Sequence, residues 1–211
     1  MAAQPVHQPS MWDLADEPVL TGLAGRVVRH PLSAGVWVDH LPGWVEGSDP
    51  VLDVLLGDIG WRADRRQMYD REVAVPRLLR WYDEGEDLPH PLLSEARTSL
   101  DVHYGPELGE PFATVGMCLY RDGRDSVAWH GDRIGRGSSQ DTVVAIASFG
   151  SPRALLLRPV GGGASVRFTL GHGDLVVMGG SCQRTWDHCV PKTTRAVGPR
   201  VSVQFRPRGI S

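Results

Sequence analysis

Between residues 112 and 206 the chain breaks into about eight short apolar runs, near 113–121, 126–130, 142–149, 153–159, 164–170, 174–179, 184–190 and 200–206. Turn residues separate them, among them Gly161-Gly162-Gly163 and Gly171-His172-Gly173-Asp174. Strands this short and this evenly spaced argue a double-sheet jelly roll. The expected fold class is therefore mainly β with flanking helices, a double-stranded β-helix (jelly roll) with an N-terminal extension.

The extension is read from local signals. Residues 1–25 show little periodicity and are expected to form an arm with loose ends. Val27–His30 and Gly35–Val38 read as short strands. Ser48-Asp49-Pro50 opens a helix, Val51, Leu52, Leu55 and Leu56 give it an apolar face, and Gly57 and Gly60 end it. Residues 61–90 have no clean period and read as a surface segment with a short strand pair. A second helix starts at Pro91 and is expected to stop at Gly105. This divides the chain into a supporting segment at 1–60, a middle segment at 61–105 and a jelly-roll core at 106–211.

Composition bounds the rest. A chain of 211 residues with 41% hydrophobic content and a formal net charge of -3 is globular, not disordered. No apolar run approaches a membrane span, and the N-terminus lacks a basic flank and an apolar core, so no membrane partner and a cytoplasmic location are expected. Cys118, Cys182 and Cys189 have no CxxC spacing and suit a reducing compartment. Of 22 basic residues only Lys192 is a lysine. The middle segment sets arginine beside Trp61 and Tyr69, which suits a surface for single-stranded or flipped-base nucleic acid; a solvated loop around one core tryptophan has the same composition.

The chemistry concentrates in Ser126-Val127-Ala128-Trp129-His130-Gly131-Asp132, a strand ending in a turn. Strand period puts His130 and Asp132 on one face. They are two parts of a two-histidine, one-carboxylate facial triad for ferrous iron, although His-x-Asp alone also describes a hydrogen-bonded surface pair. His188 is the choice for the third ligand; His172, in a glycine-rich turn, is expected to be exposed. In the last strand Arg200, Ser202, Gln204 and Arg206 share a face, and Val201, Val203 and Phe205 share the other. If the polar face points inward, its arginines need an anion, and a dicarboxylate would serve.

The run Leu119 to Asp132 resembles the iron-binding signature of the AlkB family of iron(II)/2-oxoglutarate dioxygenases. Gly173 to Gly180, Trp186 to Lys192 and Arg200 to Arg206 match the family's later motifs in order, so the resemblance covers roughly residues 60–208. It implies Fe(II) on His130, Asp132 and His188, with 2-oxoglutarate and O2 as co-substrates. It implies Arg200 on the distal carboxylate helped by the Tyr120 hydroxyl, Arg206 near the chelated end, and Ser202 in the same pocket. Cys118 stands where many members carry Asn. Residues 61–105 would include a nucleotide-recognition lid, with Trp61 stacking on a flipped base and Arg66, Tyr69, Arg71 and other arginines, Arg62, Arg65 and Arg77, near the nucleic acid. Ile134 falls where well-studied repair members carry an acidic residue.

The implied function is oxidative dealkylation of N-alkylated bases in DNA or RNA, releasing succinate, carbon dioxide and an aldehyde, by a monomer. Two alternatives are an oxygenase acting on protein or a small molecule, and a non-catalytic cupin-like barrel, which would have no use for Arg200 and Arg206. Cys189 is expected to point away from the metal, Trp129 and Trp186 to support the ligands from the core, His103 and Tyr104 to pack or cap at a helix end, and Cys182 and Gln183 to lie behind the ligands.

Overall fold

A strand with alternating polar and apolar residues can hold two different environments apart, and the last strand of this protein does so. Val201, Val203 and Phe205 are fully buried on one side, while Arg200, Ser202, Gln204 and Arg206 line a cavity on the other. The computed structural model describes residues 17–57, 59–68, 71–133 and 135–210, with the backbone alone at 65–68 and 71–74.

The elements are β1 (Val19–Leu20), β2 (Val28–Ser33), β3 (Val36–Leu41), β4 (Val45–Glu46), α1 (Asp49–Leu56), β5 (Arg62–Met68), β6 (Arg71–Tyr82) and α2 (Pro91–Leu108). There follow β7 (Phe112–Tyr120), β8 (Val127–His130), β9 (Val144–Gly150), β10 (Arg153–Pro159), β11 (Val166–Leu170) and β12 (Asp174–Gly180). The chain ends with α3 (Cys182–Thr185), β13 (Trp186–Val190) and β14 (Arg200–Pro207). Eight strands form an antiparallel sheet in the order β2-β3-β12-β9-β14-β7-β6-β5, and four form a second in the order β11-β10-β13-β8. This is the expected jelly roll. The large sheet takes strands from all three segments of the chain.

Two apolar cores follow from the two faces of the large sheet. Its outer face packs on α1 and α2 through Leu52, Leu55, Leu93, Leu100, Phe149, Val201, Val203 and Phe205. Its inner face meets the small sheet through Val38, Ile146, Val176 and Met178 from one side and Leu155, Leu157, Phe168 and Val190 from the other. Pro50 in the first turn of α1 and the buried Val51, Leu52 and Leu55 match the sequence reading.

Three expectations change. The second helix does not stop at Gly105; it runs through Gly105 and Pro106 and ends at Gly109, whose φ is 80°. Packing overrides the local signal, because Leu100 and Tyr104 are buried and Tyr104 donates a hydrogen bond to Asp39 Oδ2 at 3.1 Å. The run 184–190 is not all strand. Thr185 bonds Ser181 O through its backbone N–H (2.9 Å) and its hydroxyl (2.8 Å), closing the helical turn α3 before β13 begins. The middle segment is more ordered than a surface loop: β6 pairs with β7 from Leu78↔Leu119 to Tyr82↔Val115, so the β5–β6 hairpin extends the large sheet. Of the expected N-terminal arm, residues 1–16 lie outside the described residues, and β1 pairs with β4. No helix among the described residues is long and apolar enough to cross a membrane.

One contact in the outer core depends on a missing side chain. Trp37 lies across β12 with its ring where a Cβ on Gly179 would sit, 2.0 Å from Cζ2, and Arg29 covers the ring at 3.6 Å. Gly179→Ala should therefore destabilise by about 1–3 kcal/mol, as overpacked cores do. Gly22→Ala, with nothing within 4 Å of its Cβ, should change stability little. Urea denaturation of both variants checks the contrast, and equal midpoints would refute it.

Candidate active site

The antiparallel pairing of β8 with β13 places His130 opposite His188, with ring centroids 4.3 Å apart. Two residues on, past the close-packed Gly131, Asp132 reaches the same point. His130, Asp132 and His188 each offer one ligand atom, and those atoms lie within 4.8 Å of one another; among the described residues they are the only such cluster. Two imidazole nitrogens and one carboxylate oxygen are the donor set that iron(II) takes while keeping other positions open.

Their surroundings prepare them as ligands. His130 Nδ1 lies 2.9 Å from Ala128 O and 3.1 Å from His188 O, so Nδ1–H donates and Nε2 keeps its lone pair. Burial, with His130 beside it, holds the His188 imidazole down at about 3, so that it is neutral at ordinary pH. Burial alone would raise the Asp132 carboxyl, but the charge of Arg206, followed by the two histidines, brings it to about 2. Arg206 Nε donates to Asp132 Oδ2 at 3.2 Å, and Asp132 Oδ1 lies 3.9 Å from His130 Nε2. One carboxylate oxygen is thus held by the arginine while the other faces the histidines.

The register of β7 on β14 builds the rest of the cavity in rows: Tyr120↔Arg200, Cys118↔Ser202, Gly116↔Gln204 and Thr114↔Arg206. Arg200 is 2% exposed. Its Nε donates to Ser148 Oγ at 2.9 Å, and its guanidinium lies 5.4 Å from the Tyr120 ring centroid. No carboxylate among the described residues is within ion-pair distance of it. A buried cation with no carboxylate in ion-pair distance is costly, so the cavity fits an anionic ligand reaching toward the triad. Burial pushes the Tyr120 hydroxyl up to about 12, which keeps it a neutral donor. Gln204 Nε2 donates to Ser202 Oγ at 2.5 Å and Arg206 Nη1 to Gln204 Oε1 at 3.4 Å, so the floor forms a connected polar strip. Cys118 lines the same cavity.

The structure thus brings together His130, Asp132, His188, Tyr120, Arg200, Ser202, Arg206 and Cys118. It does not bring Trp61 there: the indole N–H donates to Leu55 O at 3.0 Å and the ring packs on the outer core. Arg66 and Arg71 lie in β5 and β6, but their side chains, and Tyr69 and Ile134 altogether, lie outside the described residues. His172 is not exposed as expected. Its Nδ1 accepts from Gly150 N at 2.8 Å and its Nε2 lies 3.2 Å from Asp49, tying the turn to α1. Trp186 is buried, as a core support should be; Trp129 is partly exposed under Arg158, 4.1 Å away.

Arg77 and Arg153 were harder to place from sequence. Arg77 lines the cavity and donates to Ser126 O at 3.3 Å. Arg153 is buried and donates to the carbonyls of Asp122, Asp125 and Pro191, at 3.0, 2.8 and 2.8 Å, tying down the loop before β8. The alternation Arg77, Leu79, Trp81 was the available signal for the first; nothing local marks the second.

Comparison with known proteins agrees with this geometry. Residues 47–206 match the model of the 2OG-Fe(II) oxygenase superfamily. Alpha-ketoglutarate-dependent dioxygenase alkB homolog 3 of Homo sapiens is 32% identical over 198 residues, covering 80% of this chain and 66% of that protein. The chain therefore spans just under two thirds of that relative's length. DNA oxidative demethylase ALKBH2 of Arabidopsis thaliana is 32% identical over 130 residues, covering 51% of this chain and 41% of that one. The solved structure of OsALKBH1 superposes with a TM-score of 0.56 at 15% identity, covering 84% of this chain and 100% of that one, and so shares the fold.

The buried neutral His188 makes the metal-free protein acid-sensitive. The unfolded chain takes up a proton near 6.5, whereas the folded imidazole resists until about 3. Stability is therefore kept above 6.5 and lost as pH falls below it, by about 1.4 kcal/mol at pH 5.5 from this one group. Denaturant titrations of metal-free protein at pH 7.5 and 5.5 should show this loss, and His188→Ala should reduce it. An identical pH slope in the variant would remove His188 as the cause.

Proposed function

The chain belongs to the 2OG-Fe(II) oxygenase superfamily, and within it we propose a nucleic-acid dealkylase, oxidising N-alkyl groups on bases of DNA or RNA with iron(II), O2 and 2-oxoglutarate. The observation that carries the reading is one cavity with two ends: the His130, Asp132, His188 cluster at one, and the buried, carboxylate-free Arg200 at the other. A structural metal site would not need the second end. The nucleic-acid part of the reading is supported by the relatives, two of which are named for dealkylation chemistry or its family.

His130 Nε2, His188 and Asp132 Oδ1 would hold the iron, with Arg206 keeping Asp132 turned toward it. Arg200, Ser148 Oγ and the neutral Tyr120 hydroxyl would take the far carboxylate of 2-oxoglutarate, a planar fork meeting a planar anion. Iron held there with 2-oxoglutarate and oxygen would supply the oxidising power to hydroxylate an alkyl C–H bond, and the hydroxylated group would then leave the base as an aldehyde. The apolar walls from Val144, Ile146, Leu155, Leu170, Met178 and Val190 would shield this space from water. The β5–β6 hairpin, which carries Arg62, Arg65, Arg66 and Arg71, would meet phosphates beside the cavity.

Anaerobic loading with iron and 2-oxoglutarate, followed by aerobic turnover on alkylated oligonucleotides read by mass spectrometry, tests the whole reading. Succinate should form together with loss of the alkyl mass, and His188→Ala should abolish both. Arg200→Ala should weaken 2-oxoglutarate binding by about 1.5–3 kcal/mol, roughly 12- to 150-fold, and Arg200→Lys should not restore it, because the fork is lost. Unchanged 2-oxoglutarate affinity in Arg200→Ala would sink the clamp. Oligonucleotide binding should weaken with salt at a log–log slope of about -0.7 per phosphate contact on a single strand. Succinate production without any effect of oligonucleotides would favour a protein or small-molecule substrate.

A further inference from the structure

Among the described residues that line the cavity there is one thiol. Cys118 is partly exposed, whereas Cys182 and Cys189 are buried, and all three are unpaired. Cys118 stands opposite Ser202, within the polar row of β14 that begins with Arg200 and ends with Arg206. Its thiol donates to Gln204 Oε1 at 3.9 Å, the oxygen that also accepts from Arg206 Nη1. A dicarboxylate stretched from Arg200 to the triad would pass this sulfur.

What makes the thiol more than a small apolar filler is the cation beside it. Arg200 is 2% exposed, and of its three guanidinium nitrogens only Nε has a hydrogen-bond partner among the described residues. The other two open into the cavity that Cys118 lines. Across a diagonal of two paired strands, about 7–8 Å, a side chain as long as arginine can reach. Burial lowers the proton affinity of Arg200, while negative charge on Tyr120 or Cys118 works the other way, so the sulfur lies within electrostatic reach of the guanidinium. Arg77 and Arg206 line the same space. An anion made at Cys118 would meet a buried charge that the fold leaves open.

We propose that Cys118 is a peroxide-sensitive modification site, and that its oxidised side chain closes the cavity to the co-substrate by giving Arg200 an anion of the protein's own. The inference rests on the 2-oxoglutarate reading above and names how that site is regulated. In the first step the thiolate sulfur attacks one oxygen of hydrogen peroxide. An S–O bond forms, the O–O bond breaks, and sulfur loses two electrons. The hydroxide released takes up the thiol proton and becomes water. The product is a sulfenic acid. A second peroxide oxidises it in the same way to a sulfinic acid, which loses its proton to solvent and carries two oxygens, as a carboxylate does. No other thiol lines the cavity to form a disulfide, so the sulfenic acid waits for a small thiol to reduce it, whereas the sulfinate stays. Bound 2-oxoglutarate would cover the sulfur, so the protein is open to this oxidation when its co-substrate is scarce.

The test treats metal-free protein with hydrogen peroxide, removes the peroxide with catalase, and reads oxygen addition at each cysteine by peptide mass spectrometry. Titration calorimetry then measures 2-oxoglutarate binding with manganese(II), which occupies the metal site without turnover. Oxygen should add at Cys118 and not at Cys182 or Cys189. The oxidised protein should bind 2-oxoglutarate roughly ten-fold or more weakly than untreated protein, the loss of one charged hydrogen bond. Dithiothreitol should restore protein stopped at the sulfenic stage. In untreated protein, saturating 2-oxoglutarate should slow alkylation of Cys118 by iodoacetamide. Cys118→Ser, whatever its own affinity, should bind equally before and after peroxide, and Cys118→Ala serves if the serine variant fails to fold. Cys118→Asp, which builds in the anion with no oxidant, should bind as weakly as oxidised wild type.

Unchanged affinity in protein oxidised at Cys118, a Cys118 that stays reduced, an alkylation rate indifferent to 2-oxoglutarate, or an equal loss of affinity in treated Cys118→Ser would each overturn the proposal alone. Untreated wild type that binds no 2-oxoglutarate would overturn the co-substrate reading and the proposal together.

Discussion

The cavity is organised by a cation that the protein buries and does not neutralise. Arg200 is 2% exposed and has a serine hydroxyl and an aromatic ring as its neighbours instead of a carboxylate. Burying a guanidinium this way costs several kcal/mol unless an anion meets it. The fold tolerates the cost because Arg200 sits on β14, a central strand paired on both sides, with β7 and β9. On the opposite face of the same strand Val201, Val203 and Phe205 lock into the outer core. The apolar face holds the strand where the polar face needs it.

The second pairing of the cavity is of the opposite kind. Asp132 and Arg206 neutralise each other at 3.2 Å, and both are held further, Asp132 by the field of two imidazoles and Arg206 by Gln204. Along β14, then, an unpaired arginine and a paired one lie six residues apart. The unpaired one is free to recruit a ligand's charge. The paired one orients Asp132 beside the two histidines and spends its charge doing so. The geometry separates the two tasks even though the residue type is the same.

Strand alternation made most of this legible before any coordinates. The polar face of Arg200 to Arg206, the shared face of His130 and Asp132, and the jelly roll itself follow from period and turn residues. His188 as third ligand and the pairing of Arg200 with a dicarboxylate drew on family resemblance, because sequence distance gives no contact. What failed, failed where tertiary contact overrode a local signal. Gly105 and Pro106 look like a helix stop, but the buried Leu100 and Tyr104 hold the helix to the sheet on the way there. His172 looks like an exposed turn residue, but Gly150 N–H and Asp49 both need it. Trp61 looked like the substrate ring by position in the chain; its indole N–H is used by Leu55 O. Trp81, which pairs with Gly116 of β7, was hidden because β6 continues the sheet far longer than a broken period suggests.

Around Tyr120 the price of recruiting an anion becomes visible. Arg153 and Arg200 lie 5.5 and 5.4 Å from its ring, and Arg77 lines the cavity beside it. The hydrogen bonds of these three arginines go to backbone carbonyls and a serine hydroxyl, which satisfy N–H groups without cancelling charge. Burial accordingly lowers the proton affinity of both Arg153 and Arg200. Like charges gathered in a low-dielectric space destabilise the folded chain, and a dicarboxylate bound among them relieves that repulsion. A ligand that binds only the folded state stabilises it by RT ln(1 + [L]/Kd), so the energy stored in the arginine cluster reappears as affinity. Replacing Arg200 by an apolar residue would ease the repulsion and weaken the ligand at once. Stability and co-substrate affinity are therefore opposed in this cavity, and the serine, the carbonyls and the tyrosine ring are neutral because a built-in carboxylate would compete with the ligand for Arg200.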